Sequence, residues 1–372
     1  MKRPANSFAF WPWSASRLHS AKEWLVLDLG HRTLKALQIA ASREGIQSCK
    51  CEAVGLERDL SEPLLAERVA SLLPPHSESA VALLLPEQMA ISQVIDLPAS
   101  SPEEVARRID AETVAISGLS ENVIVHDYAR LDPIGEKRNP FWLTLCQESE
   151  ILKQADRLQL RERIAEITTS ANALIAAHRF QFHQASDRIL IDIGATTTVI
   201  AIIRAGQGVF AGTVPVGADS FTEAIAREQN CSWEAAEDLK LSEQFLSGAN
   251  SSAELIRALH SWQRQVESVV SEFDGSGLAT HSILLCGGGS LLAGLTEYLK
   301  STHWNASLWP NQGLPEGITP IWIPVFGMAL QATGQNRQSI SLLPEELQRI
   351  QIRQRRLQAV NSLNVFLMCV LL

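Results

Sequence analysis

A two-lobed α/β fold built by internal duplication is what this 372-residue chain predicts. Three observations carry that expectation. Asp28-Leu29-Gly30 and Asp192-Ile193-Gly194 are one signature written twice, each closing an apolar run that reads as a buried strand, Trp24 to Leu27 and Ile189 to Ile191. Each is followed by a further strand, after His31-Arg32-Thr33-Leu34-Lys35 in the first copy and Ala195-Thr196-Thr197-Thr198 in the second. A third apolar run, Ile283 to Cys286, leads into Gly287-Gly288-Gly289-Ser290 and then a helix.

The residue types suit phosphate chemistry. An aspartate at a strand end can hold a hydrated Mg²⁺, and the glycine permits a tight turn after which backbone N–H groups and hydroxyls face phosphate oxygens. A single D-x-G also fills ordinary turns; two with hydroxylic tails would clamp a nucleotide from both sides. The plainer alternatives are a simple strand–helix turn for the glycine run, the weaker of its two readings, and a solvated strand lysine for Lys35.

Bulk composition narrows the class. The chain is 46% hydrophobic and 20% charged, as in ordinary globular proteins, and its net charge of −9 argues against a dedicated nucleic-acid binder. The six cysteines, at 49, 51, 146, 231, 286 and 369, include no CxxC pair, so they read as reduced, mostly buried thiols and not as a zinc site. Residues 1–21 form a tail whose aromatic patch Phe8 to Trp13 is too short for a signal-peptide core.

Along the chain, strands are expected at 24–29, 34–40, 46–54 and 81–85, then Ile91 to Leu97. Ser101-Pro102-Glu103-Glu104 opens a helix with a serine cap, proline at its first position and a capping-box glutamate. Asn122 to Leu131 and Phe141 to Cys146 read as strands, and Glu148 to Phe182 as a helix-rich stretch. After the second D-x-G, two alternating strands (199–203 and 208–214) precede a largely helical block, 218–275, with Ser232 as a cap. Helices are expected from Leu292 to Lys300 and from Met328 to Thr333. The organisation is then a tail (1–21), a first lobe (22–96, 167–187 and 325–334), an inserted α+β subdomain (97–166), a second lobe (188–324, with a helical insertion about 216–275) and a C-terminal segment (335–372).

These stretches resemble the actin/hexokinase/Hsp70 superfamily, and within it the PilM-type cytoplasmic proteins of type IV pilus assembly, related to FtsA and to the cytoplasmic part of the type II secretion L protein. The resemblance covers roughly residues 22–334. Asp28 to Lys35 is similar to the first phosphate loop, Asp192 to Thr198 to the second, and Leu285 to Leu295 to the adenosine motif. Leu97-Pro98 with the helix from Glu103, and Pro215 to Thr222 running on to Ala235 to Lys240, point to the PilM type. The resemblance implies ATP and Mg²⁺ as cofactors. Asp28 and Asp192 would hold the metal through water; Gly30, Thr33, Lys35, Gly194, Thr196 and Thr197 would contact phosphates; Gly287, Gly288, Gly289 and Ser290 would pass under adenine. Relatives usually carry small residues where His31 and Arg32 stand; Arg32 would pair with a phosphate or fold outward. Near Ser170-Ala171-Asn172-Ala173, where relatives commonly place a water-orienting acid, there is no carboxylate. The expected activity is therefore nucleotide binding with at most weak ATPase turnover. A small-molecule kinase or an FtsA-like membrane-tethered filament are the other readings; no cleft acid supports the kinase, since Asp110 and Glu112 fall on the solvated face of the inserted helix.

Ile340-Ser341-Leu342-Leu343-Pro344-Glu345-Glu346 resembles the Asn-Leu-Leu-Pro leader of PilN, a separate inner-membrane chain that docks on PilM, with Ser341 in place of asparagine. Here it is appended to the body, and would dock in cis or on a neighbour. Leu347, Ile350 and Leu357 make the following stretch amphipathic, and Arg349, Arg353, Arg355 and Arg356 precede the apolar run Leu363 to Leu372, as expected of a cytoplasmic juxtamembrane helix. That run covers about half of the roughly 20 residues a bilayer span needs; a solvated basic helix is the simpler alternative. The expected role is a scaffold at the inner face of the inner membrane, in a type IV pilus or type II secretion-like platform, with PilN- and PilO-like partners.

Overall fold

The computed structural model describes residues 23–360 apart from 43–44, 58–60, 74–78, 99–100, 183–185, 243, 247–250, 275–280, 337–338, 355 and 358–359. The expected N-terminal tail and the apolar run 363–372 lie outside the described residues.

The first lobe is built on a five-stranded sheet, order β3-β2-β1-β4-β8, from β1 (Glu23–Leu29), β2 (Thr33–Ser42), β3 (Gly45–Gly55), β4 (Ala80–Leu85) and β8 (Ile164–Thr169). β1, β2 and β3 form an antiparallel meander, whereas β4 and β8 run parallel to β1 and to each other. Helix α1 (Glu62–Leu72) connects β3 to β4.

A second sheet of eight strands, order β13-β12-β9-β10-β11-β5-β7-β6, repeats the arrangement. β9 (Arg188–Ile193), β10 (Thr198–Arg204) and β11 (Gln207–Val214) form the second meander, and β12 (Ser282–Cys286) runs parallel to β9 as β4 does to β1. β13 (Asn305–Leu308) completes this edge. The helical block resolves into α5 (Ala218–Gln229), α6 (Trp233–Ser242) and α7 (Ala253–Asp274). Ser232 caps as expected, its Oγ accepting the Ala235 N–H at 3.2 Å.

The inserted strands β5 (Ala90–Asp96), β7 (Pro140–Gln147) and β6 (Ile124–Arg130) pair antiparallel and join the second sheet where Gln93 of β5 meets Phe210 of β11. Helix α2 (Pro102–Ser117) packs on them, giving a small core of Ile95, Val105, Ile109, Phe141, Leu143 and Leu145. Its capping box forms, Ser101 Oγ accepting from Glu104 N at 3.2 Å. β5, grouped with the first lobe by sequence, is therefore part of the insert's sheet. The Leu85-Pro86 step ends β4 and sends the chain out of the first sheet.

The helix-rich reading of 148–182 is corrected. Between α3 (Glu148–Arg157) and α4 (Ser170–Gln181) lies β8, buried along its length. Its Glu166 and three threonine or alanine positions hide the strand from a hydropathy reading, yet it lies beside β4 in a parallel sheet covered on both faces, the Glu166 carboxylate meeting Gln331. The late helices also shift: Gly288–Leu291 is a 3₁₀ turn before α8 (Leu295–Ser301), and α9 spans Ile323–Ala332, starting at Ile323 because Pro324 suits a first helical turn.

α4 and α9 cross at the centre. A Cβ on Gly327 would lie 1.8 Å from the Ala173 carbonyl oxygen, so only glycine allows this approach. α9 is buried on all sides and α4 on all but its last turn. The first core runs from Trp24 through α4 and α9 to Ile340, Leu342, Leu343 and Leu347; the buried residues of the second all lie between Ile189 and Ala306, with Val94 and Ile134 of the insert packed against them.

Candidate functional site: two glycine-closed hairpins and a seated tail

The duplicated signature is duplicated at atomic scale. In the first hairpin Gly30 N–H donates to Thr33 O at 3.1 Å; in the second Gly194 N–H donates to Thr197 O at 2.9 Å. A Cβ on either glycine would lie 2.8 Å from that same carbonyl oxygen. Both turns thus require glycine for close backbone approach.

The hairpins face each other electrostatically. Asp28 and Lys35 are cross-strand partners on β1 and β2, with Lys35 Nζ 3.4 Å from Asp28 Oδ2. Burial acts to lower the Lys35 pKa, but Asp28 and Asp192 together outweigh it and hold the ammonium above its ordinary value. Asp192 is pushed up to about 6, first by burial and further by Asp28, with Lys35 opposing. Its Oδ1 is enclosed without a hydrogen-bond partner. Asp28, Lys35 and Asp192 therefore share one field at the mouth between the lobes. Two carboxylates with one oxygen uncommitted suit a hydrated divalent cation; among the described residues no cluster of three or more His, Cys, Asp or Glu side chains offers a direct ligand cage.

The remaining predicted residues divide by what the backbone demands of them. Thr33, Thr196 and Thr197 are half-buried at the hairpin turns, whereas Thr198 is buried and structural, donating to Val216 O at 2.7 Å and accepting from Trp262 Nε1. Gly287 adopts a positive φ of 80°, and a Cβ there would meet Asp192 Oδ1 at 2.1 Å, so the glycine run reaches the second hairpin directly. Gly289 is needed for packing, since its Cβ would lie 2.4 Å from Ile193 Cγ2. Gly288 has open space in the Cβ direction. The Ser290 hydroxyl is buried and donates to Gly287 O at 2.7 Å, which commits it to the turn.

Arg32 does what neither expectation allowed. Its Nε and Nη2 donate to Asp219 Oδ2 at 2.9 and 2.7 Å, and its guanidinium stacks on Trp233 at 4.5 Å from the ring centroid. Asp219 lies in the first turn of α5 and Trp233 opens α6, so Arg32 crosses from the first lobe's hairpin to the second lobe. The α5 start is itself clamped to the second hairpin by Ala218 N–H to Gly194 O (2.9 Å) and Asp219 N–H to Ala195 O (2.8 Å).

Sequence reasoning missed Glu87. No carboxylate lies on the first turn of α4, as expected, but Glu87, on the 3₁₀ turn after β4, accepts the Ala171 N–H at 2.8 Å and the Ser92 hydroxyl at 3.2 Å. Burial raises its pKa. Asn172 accepts from Trp142 Nε1 at 2.7 Å and donates to Thr144 Oγ1 at 3.2 Å, tying the helix start to the insert. The Leu85-Pro86-Glu87 step was the available signal, since an acid just after a strand is placed to cap a helix beginning beside that strand.

The C-terminal segment seats on the chain's own body, between the insert and the first lobe. Ser341 N–H donates to Asp127 Oδ2 of β6 at 2.8 Å, and Leu342 N–H to Ile167 O of β8 at 2.8 Å. Gln331 Nε2 on α9 donates to Ile340 O at 2.5 Å and to Glu166 Oε1 at 3.0 Å. Ile340, Leu342 and Leu347 are at most 1% exposed. Helical residues 345–354 follow, held by an Arg161–Glu346 ion pair and by Gln351 Nε2 donating to Glu162 O at 2.8 Å. Burial pushes Asp127 up to about 6 and Glu166 up to about 7.

The family model of the type IV pilus assembly protein PilM matches residues 28–307, from the first aspartate past the glycine run. This chain belongs to the PilM family. No curated protein matches it in sequence. Among solved structures, a PilM-PilN type IV pilus biogenesis complex is similar at 20% identity and TM-score 0.65, over 84% of this chain and 98% of that one. MreB5 of Spiroplasma citri bound to AMPPNP follows at 14% identity and TM-score 0.49, over 84% and 96%. The cytoplasmic domain of EpsL from the Vibrio cholerae type II secretion system matches at 10% identity and TM-score 0.42, over 87% and 99%. The family's actin-like α/β fold is thus the fold of this chain. Among the described residues, no helix is long and apolar enough to cross a membrane.

Proposed function

We propose that this PilM-family chain is a nucleotide-holding scaffold at the inner face of the inner membrane, in the platform of a type IV pilus or related secretion machine. The observation that carries the nucleotide part is the convergence of Asp28, Lys35 and Asp192 from two hairpins closed by the same glycine-to-threonine hydrogen bond. Bound Mg²⁺-ATP would supply a polyphosphate anion with its counter-cation. Asp28 and Asp192 would hold the cation through water, while Lys35 and the hairpin N–H groups of Gly30 and Gly194 would face phosphate oxygens; Thr33, Thr196 and Thr197 would add hydroxyl donors. Gly288 offers the unobstructed backbone surface against which a nucleobase would lie.

Hydrolysis would be slow. The carboxylate at the α4 start, Glu87, is committed to Ala171 and Ser92 and buried away from its charged form, so it is unfit to orient water. The family resemblance of residues 340–346 to a PilN leader, and their seat against β6 and β8, support coupling through a leader-like segment. The basic side chains at 349, 353 and 356 support placement beside an anionic membrane surface. PilO-like proteins would be reached through such a platform.

Isothermal titration tests the nucleotide claim. Asp192→Ala should weaken Mg²⁺-ATP binding at least ten-fold while near-zero phosphate release persists. An unchanged titration would remove the cleft from consideration, and rapid ATP consumption with a small acceptor would favour an enzyme.

A further inference from the structure

The tail is integral to the body. Its apolar side chains complete the first core, yet its backbone is held by groups from three separate elements: Asp127 on the insert, Ile167 on β8 and Gln331 on α9. Side chains of two of these, Gln331 and Asp127, meet the tail's main-chain groups, and Arg161 beyond them pairs with Glu346, so an extended backbone is held between insert and lobe. The reading of residues 340–346 as leader-like is taken from the proposed function above. We infer that residues 340–347, seated between insert and first lobe, hold in cis the place that a separate chain's leader would take, and that this occupancy shuts that leader out.

The tether decides the competition. Only a few residues separate the end of α9 at Ala332 from Ile340, and Gln331 on that helix already reaches the Ile340 carbonyl. A segment on so short a connection acts at an effective concentration of order millimolar. A free leader of micromolar intrinsic affinity, at micromolar concentration, would therefore be outcompeted by about a hundredfold or more. The chain carries the adaptor within itself, and a partner's leader gains entry only when the tail is dislodged.

The test uses the full chain and a fluorescein-labelled synthetic peptide of residues 338–352, followed by anisotropy. Leu342→Asp in the chain should unseat the tail, since Leu342 is wholly buried, and the variant should bind the peptide at least ten-fold more tightly than the unmodified chain. A peptide carrying the same Leu342→Asp change should bind neither protein. A second form, with a protease site inserted at 336–339, keeps every buried residue; after cleavage it should exchange its tail for labelled peptide, whereas the uncut protein should not. Mg²⁺-ATP titration of both forms reports independently on the lobes. Equal peptide binding by the unmodified chain would overturn the inference, as would no binding by cut protein that still titrates with nucleotide; in the second case the scaffold reading would survive.

Discussion

At the residue scale, buried carboxylates set how this protein responds to pH. Glu166 rises from its ordinary 4.5 to about 7 and Asp127 from 3.8 to about 6, in both cases because burial penalises the ionised form. A group whose folded-state pKa is raised contributes its stabilisation fully below the unfolded value and loses it as pH climbs through the folded one. Stability should therefore fall between about pH 4 and 7 through these two side chains and level off above. For Glu166 the shift corresponds to roughly 3 kcal/mol as an upper bound. Glu166→Gln can still accept from Gln331 and should raise Tm at pH 8 while leaving it nearly unchanged at pH 4.5; equal Tm at pH 8 would contradict the assignment. Residue-scale chemistry was only half legible in the sequence. The spacing of the aspartates and glycines announced two like hairpins, but Arg32 reaches Asp219 across 187 positions, a partnership no local pattern encodes. Glu166 sat unnoticed because a lone glutamate in a polar-looking run gives no hint that neighbouring strands enclose it.

Between elements, the decisive contacts are the α4–α9 crossing and the tail against β8. Gly327 admits no side chain at the crossing, where its Cβ position is 1.8 Å from a backbone oxygen. Gly327→Val should force the helices apart and lower Tm by about 5 °C or more; a Tm within a degree of the parent would show that the crossing relaxes freely. Most elements were readable in advance, since the two meanders, the capped insert helix and the glycine run all follow short-range rules. β8 was not, because a strand completed by distant β4 and by a tail 175 residues later, Leu342 against Ile167, owes its burial to neighbours that periodicity cannot see. The tail was recognisable as a motif, whereas the cleft that receives it exists only after β6, β8 and α9 have been brought together.

Across the whole molecule, the two lobes are joined at their mouth by Arg32, Asp219 and Trp233. Both charged partners are partly screened by solvent, so the bridge itself is worth about 1 kcal/mol or less, but it lies beside the proposed nucleotide site. Arg32→Ala should leave Tm within about 2 °C of the parent and speed association of a fluorescent ATP analogue in stopped flow, by about three-fold or more. An unchanged rate would mean that the bridge does not gate the cleft.

The two cores also differ in how much chain each must wait for. The second lobe's lies within one uninterrupted stretch, Ile189 to Ala306, while the first lobe's gathers residues from Trp24 to Leu347. During synthesis, which proceeds from the N-terminus at about 5–20 residues per second, domains usually mature in the order they emerge. Here that order is reversed. The half made first stays unfinished until nearly the last residues described have left the ribosome, and the half made second is ready before it.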